Sequence, residues 1–215
     1  MKNKLFILSA VSILSLYSFE AKAKVYFGGG YQLTNLNFVS QDVKSIEPSK
    51  VATPLNYEDY FEKNLDNFNI FTGIKINKSQ AFELGYYYNN SSKVNNNPSK
   101  YVYDATTAKS NSKLQILSLD MITNNPIVDD MVDLNLIIGA SMVNYQNKID
   151  LYKNDKFSQS RNVDQNKLGL NLGVGTEAFV TKRISLRTQI KIVLIPTADV
   201  VNRVIIGNIG IKIKI

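Results

Sequence analysis

Apolar and polar residues alternate along most of this chain with a period of two. From residue 167 to 178, Leu168, Leu170, Leu172, Val174 and Ala178 share one face; Gly169, Asn171, Gly173, Gly175 and Glu177 share the other. Successive side chains of a β-strand point to opposite sides, so this pattern predicts a strand with one apolar face. Residues 184–195 repeat it, with Ile184, Leu186, Ile190, Ile192 and Leu194 opposite Ser185, Arg187, Gln189 and Lys191. So does the end of the chain, where Ile205, Ile209, Ile211, Ile213 and Ile215 alternate with Asn208, Gly210, Lys212 and Lys214. Segments 67–76, 82–89 and 132–142 follow the same rule. In 113–122 the better choice puts Leu117, Leu119 and Met121 on the apolar face and Ser118 and Asp120 opposite. The first segment, Val25 to Asn37, changes phase near Thr34, which predicts a bulge.

These make eight strands of roughly ten residues, the length a tilted membrane strand needs. Their connections alternate in length. Residues 39–66, 90–112 and 144–164 read as long loops, 77–80, 123–131 and 180–183 as short turns, and 196–202 as intermediate. Long extracellular loops, tight periplasmic turns and an even strand count are the pattern of a transmembrane β-barrel with both ends periplasmic. The fold class expected is all-β: an eight-stranded antiparallel up-and-down barrel.

The composition of the two faces decides which one meets lipid. The polar face carries Lys75, Glu83, Asp120, Asp133, Glu177, Arg187 and Lys191. A lipocalin-like secreted barrel would turn its apolar face inward. Here that face is an unbroken surface of Ile and Leu, better suited to lipid. Tyr26, Phe27, Tyr31, Phe38, Phe68, Phe82, Tyr86, Tyr88, Tyr145 and Phe179 fall near strand ends and suit the aromatic girdles of such barrels. The interior of an eight-stranded barrel is just wide enough for side chains to fill. Charges buried there must be paired, so Lys75, Glu83, Asp120, Glu177, Arg187 and Lys191 are expected to form a lumen charge network. Inward Phe71, Tyr87, Ile137 and Val193 favour a plug over a pore.

The N-terminus adds a compartment. Lys2 and Lys4 precede an apolar run from Leu5 to Tyr17, and Ala21-Lys22-Ala23 supplies small residues where a signal peptidase reads. The expectation is a signal peptide over residues 1–23, cut between Ala23 and Lys24, and a barrel domain over 24–215. No mature segment has the 18 consecutive apolar residues of a membrane helix.

Composition then removes chemistry. There is no Cys, hence no disulfide or thiolate metal site, and no His. A serine hydroxyl is a weak nucleophile without an activating base, so a lipid-modifying enzyme is disfavoured, and no catalytic residue, metal or cofactor is expected. The formal charge is +7. Lys2, Lys4 and Lys22 less Glu20 account for +2, leaving about +5, without the clustered basic patch of a nucleic-acid binder.

The chain resembles the small eight-stranded outer-membrane barrels, the membrane domain of outer-membrane protein A and the opacity-protein-like surface antigens. The residues that carry the resemblance are Ala21-Lys22-Ala23, the opening strand Val25-Tyr26-Phe27-Gly28-Gly29-Gly30-Tyr31 and the closing strand Gly207 to Ile215. It implies contact with outer-membrane lipid and lipopolysaccharide, and delivery to the barrel insertion machinery through the C-terminal strand. The family usually ends on an aromatic residue, where this chain has Ile215. Function is expected in the loops, with Tyr57, Tyr60 and Phe61 as candidates to contact a host-surface or extracellular partner. The expected role is a non-enzymatic surface protein, structural or adhesive; the alternative is a small porin-like channel with a narrow charged lumen.

Overall fold

The structure is a computed structural model, and it describes residues 24–39, 61–95, 107–129, 131–154 and 156–215. Its strands are β1 (Lys24–Phe38), β2 (Asn64–Lys75), β3 (Gln80–Asn95), β4 (Thr107–Val128), β5 (Val132–Lys153), β6 (Lys156–Phe179), β7 (Ile184–Leu194) and β8 (Val201–Lys214). Each pairs antiparallel with the next, and β8 pairs with β1 to close an eight-stranded up-and-down barrel. Closure leaves no unpaired edge in the wall, which lipid could not satisfy.

The two faces of the strands have changed places relative to a water-soluble barrel. Leu168, Leu170, Leu172, Ile190, Ile209 and Ile211 are exposed on the outside, whereas Glu83, Asp120, Glu177, Arg187, Lys191 and Lys212 are each 3% exposed or less. Phe71, Tyr87, Ile137 and Val193 point inward as the alternation required. The end carrying Lys24 and Ile215 also carries the short connections 76–79 and 180–183 and the step from Val128 to Val132, and is the periplasmic end.

The extracellular end differs from the sequence reading. Most of 144–164 is not a loop: β5 and β6 run on as a hairpin in which Lys153 pairs with Lys156. Asn154 turns the chain with φ 49°, a left-handed conformation that Asn tolerates better than most residues. Likewise β3 and β4 pair as far as Asn95 opposite Ala108. Asn, Ser and Lys suggest solvated turns by composition, yet Ile149 and Leu151 still alternate with Lys148 and Asp150, and that period keeps the strand. A four-stranded sheet from β3 to β6 therefore rises beyond the lipid belt.

No phase change occurs at Thr34. Tyr26, Gln32, Thr34, Leu36 and Phe38 are all buried on the inner face, and the register shift against β8 comes at Asn37/Phe38. Leu36 and Phe38 break the polar-inside rule because the upper interior is apolar. For the same reason Phe38 and Tyr145 are interior residues and no part of a girdle, and Tyr26 is likewise buried in the lower lumen. Phe27, Tyr31, Phe68 and Phe82 do stand outward.

Candidate functional site

The lumen is built in two storeys. The lower one, toward the periplasm, is made of ion pairs, two of which cross from one side of the barrel to the other. Arg187 on β7 donates from both terminal nitrogens to Glu83 on β3, at 2.5 and 2.8 Å. Tyr26 also donates to Glu83, at 3.1 Å. The guanidinium lies 4.5 Å from the centre of the Phe71 ring. Such forked, charge-assisted contacts are the strong class of hydrogen bond.

Lys191 sits one inward step above Gln189 and two above Arg187. Its ammonium has three donors, and three acceptors meet them: Tyr87 at 2.8 Å, Asp120 at 2.9 Å and Ser118 at 3.2 Å. Asp120 accepts further hydrogen bonds from Ser118 and Asn171. Glu177 forms the third group: it accepts from Ser185 at 2.7 Å and from Lys212, with Lys214 at 3.6 Å. Glycine makes room for the rings between these charges. A Cβ on Gly28 would lie 2.4 Å from the Phe71 ring, and one on Gly73 would lie 2.3 Å from the Tyr26 ring.

The upper storey is mainly apolar, with Ser110, Ser112 and Asn147 buried among its hydrophobic side chains. Leu36, Phe38, Leu65, Leu114, Ile116, Val143, Tyr145, Ile149, Leu151, Val204 and Ile206 form one buried cluster. Phe61 enters it from just before β2, with ring centres 5.4 Å from Phe38 and 5.9 Å from Tyr145. The β7–β8 connection also folds inward, contributing Ile195 and Val200 to the cluster. Gln165 holds it by accepting from the Val200 and Val201 amides at 2.7 and 2.9 Å and donating to the Val201 carbonyl at 2.9 Å.

The ion pairs of the structure differ from the expected lumen charge set at two points. Glu83, Asp120, Glu177, Arg187 and Lys191 all take part. Lys75 lies half-buried at the end of β2, opposite Lys24 at the start of β1, and among the described residues it forms no ion pair with the lumen carboxylates. Its place is taken by Lys212. That residue had the right inward parity on β8, but nothing in the sequence singled it out from Lys214. Phe61 is fully buried and is a core residue, so it presents nothing to a partner. Tyr57, Tyr60, Ala21 and Ala23 lie outside the described residues. Gln165 was missed altogether, because a polar residue in a polar stretch gives no warning that it caps a neighbouring loop.

An apolar outer belt around a filled, charge-paired interior defines a small transmembrane β-barrel. The chain belongs to the outer membrane protein beta-barrel domain family, which it matches over residues 6–211, and its place is the bacterial outer membrane. Among solved structures it is similar to Ail, the attachment invasion locus protein of Yersinia pestis. That likeness has a TM-score of 0.56 and 12% identity, and covers 91% of this chain and 100% of Ail. A second structure of Ail, in complex with the heparin analogue sucrose octasulfate, gives a TM-score of 0.52 at 13% identity over 90% and 99% of the two chains. Neisserial surface protein A gives 0.54 at 18% identity over 89% and 97%. At these identities the likeness is one of fold. No curated protein sequence matches the chain.

Proposed function

We propose that this barrel is a non-enzymatic surface protein that presents its extracellular β3–β6 sheet and the connections around it to a partner outside the cell. The sealed lumen carries this reading. An aqueous path would have to cross the storey around Phe61 and then the Lys191–Asp120 and Arg187–Glu83 layers, whose opposite charges pair with one another across the lumen. Wide channels belong to barrels with twice as many strands. With no His in the chain, the serines lack the usual activating base.

What remains for function is the raised sheet. Its outward face carries Lys109, Lys113 and Lys148 among Asn90, Asn111, Gln146 and Asn162, with Asp164 and the Lys148-paired Asp150 on the same face. Rigid sheets that hold such groups clear of a membrane are suited to contact with large partners, and rim cations favour anionic ones. Ail, similar in fold, has been seen with a heparin analogue, which makes a sulfated glycan the first partner to try.

The test is the triple variant Lys109→Gln, Lys113→Gln and Lys148→Gln, which removes the outward cations and leaves the buried cluster of Ile149 and Leu151 in place. Cells displaying this variant should lose adhesion to heparin-coated surfaces relative to wild type, while the purified barrel keeps its heat-dependent gel mobility. Unchanged adhesion, or a steady current through the wild-type barrel in a planar bilayer, contradicts the reading.

A further inference from the structure

The β5–β6 hairpin ends in a feature that neither the lumen nor the lipid belt explains. The register between its strands shifts at Leu151/Tyr152: Leu151 faces Gln159, but Tyr152 faces Phe157. Ser158 is the extra residue on β6, and a bulge of this kind re-aims the side chains beyond it. Below the bulge the even-numbered residues of β6, such as Asn162, Asp164 and Leu168, face outward; above it Phe157 does, beside Tyr152. The two rings meet edge to face, with centres 6.0 Å apart and planes at 78°.

Phe157 is 60% exposed, and it stands eleven positions beyond Leu168, roughly 35 Å along the strand from the lipid belt at the usual rise per residue. It is therefore no girdle residue. A ring turned outward by a bulge, instead of inward to the buried cluster of Ile149 and Leu151, is open to a ligand. Cations surround it. The Lys109 ammonium lies 5.0 Å from the centre of the Tyr152 ring, and Asp150, opposite Lys109, is already paired with Lys148. Lys153 and Lys156 close the hairpin as register partners, and like charges set directly opposite repel. By sequence the turn between them also holds Asp155, so three lysines less one aspartate leave the tip with two positive charges in excess.

We propose that this tip supplies the sugar-ring contact of a sulfated-glycan partner: one pyranose ring lies on the open face of Phe157, with sulfate groups between Lys153 and Lys156 and beside Lys109. This rests on the reading of a sulfated glycan as partner and adds an aromatic contact to it. The C–H groups on one face of a pyranose carry partial positive charge and suit the negative face of an aromatic ring. A sulfate between Lys153 and Lys156 replaces their repulsion with a shared attraction. An opposing lipid bilayer is the poorer occupant, because Lys153, Asn154 and Lys156 lie at the apex and would enter it ahead of both rings.

Binding of the purified barrel to immobilised heparin, measured across a range of NaCl concentrations, tests this. Charge contacts weaken as salt screens them, and an aromatic contact does not. Phe157→Leu keeps an apolar side chain without the flat face, and is expected to weaken binding about tenfold at every salt concentration, with the salt dependence of wild type. Phe157→Tyr should bind as wild type does, and Lys156→Gln should flatten the salt dependence. Heat-dependent gel mobility should be the same in all three. If wild type fails to bind heparin, the aromatic contact falls together with the reading beneath it. Heparin binding by Phe157→Leu equal to that of wild type overturns the aromatic contact alone. Capture by phosphatidylserine vesicles that Phe157→Leu abolishes, with heparin binding kept, overturns it too and assigns the tip to a lipid surface.

Discussion

Gln165 and Val201 are joined by two hydrogen bonds in opposite senses: the Val201 amide donates to the Gln165 side-chain oxygen, and the Gln165 side-chain amide donates back to the Val201 carbonyl, both at 2.9 Å. One side chain on β6 thereby satisfies the backbone groups where the β7–β8 connection enters the barrel mouth at Val200 and Val201, both buried. Gln165→Leu keeps the volume and removes both partners. Leaving buried backbone groups unsatisfied costs about 1–3 kcal/mol. Amide exchange at Val200 and Val201 is expected to accelerate by one to two orders of magnitude, with exchange in the lower barrel unaffected.

Arg187 and Glu83 are the most exposed to loss of a partner. Arg187→Met leaves the Glu83 carboxylate buried with only the Tyr26 hydroxyl. Breaking a buried pair on one side costs about 3–5 kcal/mol, whereas replacing both members by apolar groups is far better tolerated. In urea titrations of the barrel in lipid vesicles, the single variant should unfold at clearly lower urea. The double variant Glu83→Met with Arg187→Met should recover most of the difference; a double variant as weak as the single one would show that the pair is not the cause.

Phe61→Ala tests the upper seal. Truncating a fully buried Phe costs about 3–5 kcal/mol, and the cost rises with the cavity left behind. The urea midpoint should fall, because Phe38 and Tyr145 lose their shared neighbour. The planar-bilayer current should stay at baseline, since the Lys191 and Arg187 layers remain below.

The hairpin tip should respond to acid independently of the barrel. The Asp150 carboxyl is held below its usual range by a hydrogen bond from Ser160, its register partner, with Lys148 contributing from 3.2 Å. A depressed carboxyl adds stability above its unfolded pKa of about 3.9, and that stability is lost as pH falls through the lower folded value. Amide protection factors around Lys148–Asp150 should therefore decline below about pH 4, while Asp150→Asn should give factors that are lower and flat across that range.

The wall of this barrel was legible because lipid imposes a simple rule on it: every second residue from Leu168 to Val174, or from Ile209 to Ile215, must be apolar. Inward charges such as Glu83, Asp120 and Arg187 followed from the same parity. The upper interior was less legible, because Leu36 and Phe38 invert the rule and mimic a change of phase. Above the belt both faces meet water or each other, so composition no longer reports the period. The strands through Asn147 and Gln165 accordingly read as loop. That both inward lysines on β8 would meet Glu177, Lys212 the nearer, was beyond the pattern, since it depends on distances across the lumen.

The crossing pairs have a consequence for assembly. Arg187 and Glu83 lie 104 residues apart, and Lys191 and Asp120 lie 71 apart, so no hairpin contains both members of either pair. A partly formed sheet holds these charges without their counterparts, in surroundings that penalise each one by several kcal/mol. The final pairing of β8 with β1 brings the two sides of the lumen within reach and relieves all of them together. Intermediates short of closure are thereby depleted, and this barrel should go from open chain to sealed cylinder in one cooperative step.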